Sequence, residues 1–202
     1  MVIRHLLCAV LALGMMVDAR NASHAAVSAE PVAFIDNLAN HTLRILAEHL
    51  PAAESEQRFK ALLLENFDMP RISRFVLGRY WLTASSQEKE EIQDLLPDYV
   101  ARSYSKRFAN YSGETVKVTR SRPVREDTTV VSSQIVNPSG TPPVSAEWWV
   151  VRTGDDFRII DVVVDGVSLV LTLRQEFVAV IEQRGGGVST LNRMLREKLG
   201  GS

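Results

Sequence analysis

The chain has 202 residues, with 23 Lys and Arg against 24 Asp and Glu and a formal net charge of −1. That balance excludes nucleic acid as the main partner, since such proteins carry a clear basic excess. The length suits one domain able to bury a sizeable core, and a single cysteine, Cys8, rules out an internal disulfide to staple it.

At the N-terminus, Arg4 and His5 precede an apolar run from Leu6 to Val17. A short basic start followed by a brief apolar stretch is the pattern of a secretory signal peptide. The run is about a dozen residues, whereas a membrane-spanning helix needs about 20. Ser23-His24-Ala25 and Val27-Ser28-Ala29 both put small residues at cleavage spacing. Residues 1–29 therefore read as a leader cleaved near 25–29, and 30–202 as a single domain that works outside the cytoplasm. The competing reading is an uncleaved N-terminal anchor. Cys8 follows Leu7 inside the apolar run, too early for a lipoprotein cleavage site, so the processed chain is expected to carry neither thiol nor lipid.

Helical spacing comes first. Ile35, Leu38, Leu43, Leu46 and Leu50 form one stripe, ended by Pro51. Phe59, Leu62, Leu63 and Phe67 mark a second helix. Pro70 breaks the chain before a short helix with Ile72, Phe75, Val76 and Tyr80. Ser85 with Glu88 forms a capping box, and the helix behind it carries Ile92, Leu96, Tyr99, Val100, Tyr104 and Phe108. Pro97 is expected to kink or interrupt that helix.

From Glu114 the period changes to two. Val116 and Val118 alternate with polar neighbours, as do Val131, Ser133 and Ile135, and then Ala146, Trp148 and Val150. Asn137-Pro138-Ser139-Gly140 and Gly154-Asp155-Asp156 read as turns. Phe157 to Val164 is rich in β-branched residues and reads as a buried strand ended by Asp165-Gly166. The pattern predicts a four-stranded antiparallel meander. Leu169, Val170, Leu173, Phe177, Val180 and Ile181 return to helical spacing, Gly185 to Gly187 stop the helix, and Ser189 is placed to cap a last one. Helices, strands, then helices predict an α+β fold with helices packed around a twisted sheet.

Chemistry is sparse. Once the leader is removed, only His41 and His49 remain of the histidines, two helical turns apart and too distant to chelate a metal together. Ser168 lies in Asp-Gly-Val-Ser-Leu, without the glycines of a nucleophile elbow. The Gly185–Gly187 triplet follows a helix, not a strand, so it is no phosphate cradle. No catalytic residue, metal or cofactor is expected. Arg71, Arg74 and Arg79 cluster, as do Arg102, Lys106 and Arg107; each cluster is a solvated face or a contact for an anion, either a lipid head group or an acidic partner. Apolar side chains are plentiful, and periodicity alone leaves core and cavity lining undivided.

Three stretches carry a family resemblance. They are Phe67-Asp68-Met69-Pro70-Arg71-Ile72-Ser73-Arg74-Phe75-Val76-Leu77-Gly78-Arg79-Tyr80-Trp81, then Tyr111-Ser112-Gly113, and finally Phe157 through Leu169 with Arg174-Gln175-Glu176-Phe177. Together they resemble the MlaC family of toluene-tolerance auxiliary proteins, from the second helix to the end. Family members usually have Glu where Asp165 stands and often Trp where Phe157 stands.

The resemblance implies a periplasmic carrier that holds phospholipid acyl chains in an apolar cavity between sheet and helices. It implies exchange with an outer-membrane lipoprotein complex and an inner-membrane ABC transporter bearing an MCE-domain protein. A hopanoid-associated branch makes a hopanoid the alternative cargo. The expected lining is Phe67, Ile72, Phe75, Val76, Tyr80, Leu96, Tyr99, Val100, Tyr104 and Phe108 from the helices. From the strands and the last long helix it is Val116, Val118, Val131, Ser133, Ile135, Ala146, Trp148, Val150, Ile160, Val162, Val167, Leu169 and Leu173. Arg71, Arg74, Arg79 and Arg102 are the expected head-group or partner contacts, and Pro70, Pro97 and Gly185 to Gly187 the soft points for opening. Two readings of other classes stay open: an enzyme on a cone-shaped α+β scaffold, signalled by a buried Asp161 beside a second ionisable group, and a ligand-free envelope interaction module.

Overall fold

The structure is a computed structural model that describes residues 19–108 and 111–200, with side chains from 30 to 104 and from 111 to 200. Residues 1–18 of the expected leader lie outside the described residues, and 19–29 enter as the first turns of a helix. Among the described residues five helices come first: α1 (Ala19–Ala47), α2 (Ala52–Asn66), α3 (Met69–Leu77), α4 (Tyr80–Thr83) and α5 (Ser86–Phe108). The strands follow as β1 (Thr115–Pro123), β2 (Thr128–Val136), β3 (Val144–Thr153), β4 (Asp156–Val164) and β5 (Val167–Ser168). The chain closes with α6 (Leu169–Arg184) and α7 (Gly187–Lys198). Among the described residues, no helix is long and apolar enough to cross a membrane.

Local chemistry explains most element ends. Asp68 caps α3 by accepting the Arg71 N–H at 3.0 Å, with Pro70 in the first turn where no N–H is needed. Ser85 and Glu88 close the expected capping box: the Ser85 N–H donates to the Glu88 carboxylate at 2.8 Å and the Glu88 N–H to Ser85 Oγ at 3.2 Å. These bonds, with the Ser85 backbone contribution largest, hold the Glu88 carboxyl below its ordinary range. Helix α5 continues through Pro97. Gly185 ends α6 with its N–H on the Ile181 carbonyl, and the cap of α7 is left-handed Gly186, not Ser189, whose hydroxyl instead donates to the Gly186 carbonyl at 2.7 Å.

The sheet is antiparallel and open, in the order β1-β2-β3-β4-β5, and so has five strands where four were expected. Asp165 and Gly166, both left-handed, turn β4 back on itself, pairing Val163 with Ser168 and Val164 with Val167. A two-residue strand is too short to leave a period in sequence. Bulges interrupt the register at Val118/Arg120 and at Trp149/Val150.

The interior divides into two apolar clusters. A helix cluster joins α3, α5, α6 and α7 through Ile72, Val76, Leu77, Ile92, Leu96, Phe177, Leu191 and Leu195. A sheet cluster joins α1 and α2 to one face of the sheet through Ile35, Leu38, Leu62, Val131, Val150, Ile159 and Val162. Phe59 and Phe67 pack against both, so the apolar interior is continuous.

Candidate functional site

The pairing registers place one residue phase of each strand on the face beneath α1. Val118, Ser133, Ala146 and Val164 form one row across the sheet, and Val131, Trp148 and Val162 the next. Trp148 is held there by its indole N–H, which donates to Ser133 Oγ at 2.9 Å. Helix α1 lies over these rows with Ile35 and Leu38, and α2 closes the side with Leu62. The Phe34 ring stands 6.0 Å from that of Phe157, and the Arg152 guanidinium lies 4.5 Å over Phe157 while pairing with Glu30 of α1.

Between α1 and α2 the surface opens in a cleft of about 250 Å³, lined by Phe34, Asn37, Leu38, His41, Glu65 and Asn66. Its apolar wall, Phe34 and Leu38, belongs to the sheet cluster. Its polar wall comes from Asn37, His41, Glu65 and Asn66. The cleft thus sets polar side chains beside two residues of the sheet cluster.

The residues expected to line a cavity fall into distinct places. Ile72, Val76, Leu96 and Leu173 are buried in the helix cluster, with Tyr80, Tyr99 and Val100 packed against it. Val131, Val150 and Val162 are buried in the sheet cluster, where Val118, Trp148 and Leu169 join them, and Phe67 touches both clusters. Ser133 and Ala146 are buried on the same sheet face. Val116 and Ile135 pair with each other and are half-buried, as is Tyr104 on α5. Phe75 and Val167 stand on the surface instead of inside. The Phe108 side chain lies outside the described residues.

Ile160 differs from expectation for a definite reason. The bulge in the β3–β4 pairing sets Asp161 opposite Trp149 and Ile159 opposite Val150, so one residue of β4 drops out of alternation. Ile159 takes the inward place, fully buried, and Ile160 is only half-buried. Sequence reading also missed Phe34, Ile35 and Leu38 as part of this site. The helical stripe holding Ile35 and Leu38 was visible, without Phe34; that it faces the sheet was not.

Of the four arginines, Arg79 pairs with Glu182 at 2.7 Å and donates to the Tyr80 hydroxyl at 3.0 Å. The Tyr80 hydrogen bond, then the Tyr80 and Glu182 charges, raise its pKa above the ordinary value. Arg102 pairs with Glu56 at 3.2 Å and donates to the Lys198 carbonyl. Arg71 and Arg74 point to solvent on α3.

Asp161 serves the start of α6. One carboxylate oxygen accepts the Ser168 hydroxyl at 2.6 Å and the other the Val170 N–H at 3.1 Å. Ser168 Oγ in turn accepts the Leu171 N–H at 3.0 Å as the helix cap. Asp161 and, from the Asp-Gly-Val-Ser-Leu block, Ser168 are thus both engaged in local structure. Among the described residues, no three His, Cys, Asp or Glu side chains group closely enough to hold a metal ion.

The family model described as MlaC protein matches residues 36–197, from within α1 through the whole sheet and into α7. The chain belongs to the MlaC family. The family comprises lipid-binding carriers, not enzymes. Among solved structures, the chain is similar to a phospholipid-binding protein from Ralstonia solanacearum, crystallised in complex with a phospholipid at 1.53 Å resolution. The two share 24% identity over 82% of this chain and 94% of that one, with a TM-score of 0.70, a likeness of fold. Within this MlaC fold, the Leu-Gly-Arg-Tyr-Trp block and the distant Arg174 meet physically. Gly78 has φ +54°, and a Cβ there would stand 2.9 Å from an Arg174 guanidinium nitrogen. Arg174 rests 5.0 Å over the Phe75 ring.

Proposed function

We propose that this MlaC-family chain is a periplasmic carrier that holds the acyl chains of a phospholipid between its sheet and helices. It is exported by the leader at residues 1–29, and the domain from 30 to 202 does the carrying. It exchanges cargo with an outer-membrane lipoprotein complex and with an inner-membrane ABC transporter bearing an MCE-domain protein. The family match over residues 36–197 carries this reading. The Ralstonia solanacearum relative, crystallised with a phospholipid, supports it.

The physical case rests on the continuous apolar interior and its cleft. Each methylene moved out of water contributes about 0.8 kcal/mol, so an acyl chain supplies a large driving force without any acid, base or metal. The chains enter at the α1–α2 cleft and part α1 from the sheet rows of Val131, Trp148 and Val162, with Phe59 and Phe67 leading on to the helix cluster. Asn37, His41, Glu65 and Asn66 stay with the head group at the rim.

Native mass spectrometry of gently purified protein, followed by lipid extraction, tests the proposal. Stoichiometric phospholipid is the expected result. Recovery of a hopanoid would keep the carrier and change its cargo. Empty protein that takes up neither class from vesicles would sink the proposal.

A further inference from the structure

We propose that the face shared by α3 and α6 docks this protein onto an anionic phospholipid bilayer, an inference that rests on the carrier reading and says where the carrier touches a membrane. The two helices run side by side in the same direction. Both begin at β4, where the Asp68 N–H donates to the Ile159 carbonyl at 2.9 Å and the Val170 N–H to Asp161 at 3.1 Å. Midway, Arg174 lies over Phe75, and at the far end Arg79 pairs with Glu182.

On α3, helical spacing puts Arg71, Arg74, Phe75 and Gly78 on one face. On α6, Leu171 sits one turn before Arg174, with Val167 just ahead of the helix. Phe75 is 44% exposed, Leu171 46% and Val167 57%. Phe75 and Leu171 therefore stand in water on the helix pair beside guanidinium groups, with Val167 of β5 just ahead of α6.

Arg71, Arg74 and Arg174 bring three basic groups to this face. The nearby carboxylates keep their charge but are held by local bonds: Asp68 by the Arg71 N–H, Asp161 by Ser168 and Val170, Asp165 by Ser145, and Glu182 by Arg79, while Glu176 is exposed on α6. Among the described residues, no carboxylate pairs with the guanidinium of Arg71, Arg74 or Arg174. Arg174 is also fixed in place, stacked on Phe75 in the space that Gly78 leaves free. Guanidinium forks bind phosphate in a bidentate manner, and Phe and Leu beside them reach the acyl boundary below the head groups. The apolar groups project outward among the arginines, so the face asks for phosphate above hydrocarbon and not for a partner of matching shape.

Protein expressed from the full chain is mixed with vesicles of phosphatidylglycerol and phosphatidylethanolamine, or of phosphatidylcholine alone, and sedimented. The expected result is binding to the anionic vesicles only, weakened by salt. The Arg71→Ser/Arg74→Ser double variant should reduce partitioning about 30-fold. Leu171→Ser should reduce it several-fold, while both variants keep their thermal melting point and their co-purified lipid. No binding by the unaltered protein, or equal binding by the variants, overturns the proposal. Loss of lipid delivery in cells by an Arg variant, with no vesicle binding by the unaltered protein, would assign the face to an acidic protein partner and overturn it equally. Vesicle binding by a protein that never retains lipid would overturn the carrier reading and leave this one standing.

Discussion

The helix cluster and the sheet cluster use similar side chains but are closed in different ways. In the helix cluster, α3, α5, α6 and α7 surround a centre that includes fully buried Phe177, Leu77, Ile92, Leu96, Leu191 and Leu195. Polar bonds tie its rim: Asn192 donates to the Glu88 carbonyl and to the Glu91 carboxylate, both at 3.0 Å, and Arg196 pairs with Glu91. The sheet cluster has α1 as a lid over the sheet, an exposed ion pair to Glu30 and a cleft at its seam. Phe34, Trp148 and Phe157 are only half-buried there. The lesson is that equal hydrophobicity gives unequal rigidity. A cluster enclosed by helices on every side resists opening, whereas one closed chiefly by α1, with α2 at its side, can part along that seam.

That contrast breaks most sharply at Phe177. Phe177→Ala should destabilise the fold by about 3–5 kcal/mol, because the surrounding helices close only partly around the cavity. Urea unfolding measures this, and the folded fraction should keep its lipid content unchanged. A loss of lipid per folded molecule would move the carrying site into the helix cluster.

Phe34→Ala probes the other side. The ring is half-buried and meets Phe157 at 6.0 Å, so its removal should lower stability by only about 1–2 kcal/mol. Retained phospholipid, quantified by extraction, should nonetheless fall several-fold. Full retention would show that the α1–α2 seam is not the route inward.

The smallest effect sharpens the comparison at the helix cluster's edge. Glu88 caps α5 as a carboxylate whose pKa is lowered in the folded state by the Ser85 bonds. Its contribution is therefore present above the ordinary value of 4.5 and is lost as pH falls through the lower folded value. Glu88→Ala should cost about 1 kcal/mol at neutral pH, and the gap from the unaltered protein should shrink toward zero in acid. Paired urea titrations across pH check both the size and the sign; a gap that persists in acid would mean the loss is not electrostatic.

Much of this fold was legible because its signals are local. The Ser85–Glu88 box and the glycine stop at Gly185 each act within one helical turn, whereas the Asp68 cap ahead of Pro70 emerged only in the structure. Strand alternation was legible too, up to the bulges. Past Trp149 the inward phase shifts by one residue, which exchanges Ile160 for Ile159. Nothing in the run Phe157-Arg158-Ile159-Ile160 marks that shift, since both isoleucines suit a buried strand. The candidate site was half legible for a similar reason. Val131, Trp148 and Val162 share a phase, but their contact with Ile35 and Leu38 joins residues about a hundred positions apart.

By itself, then, the sequence determined the order of the elements apart from the short α4 and β5, the apolar side of the longer ones, most of their ends and the resemblance to MlaC. These depend on spacing and on bonds between near neighbours. Only the tertiary structure decided that β5 adds a fifth strand, that α1 covers the sheet, that Phe75 and Val167 face water, and that Arg174 fills the space above Gly78. Periodicity says which side of an element avoids water. Which surface covers that side is settled by packing between segments far apart in the chain.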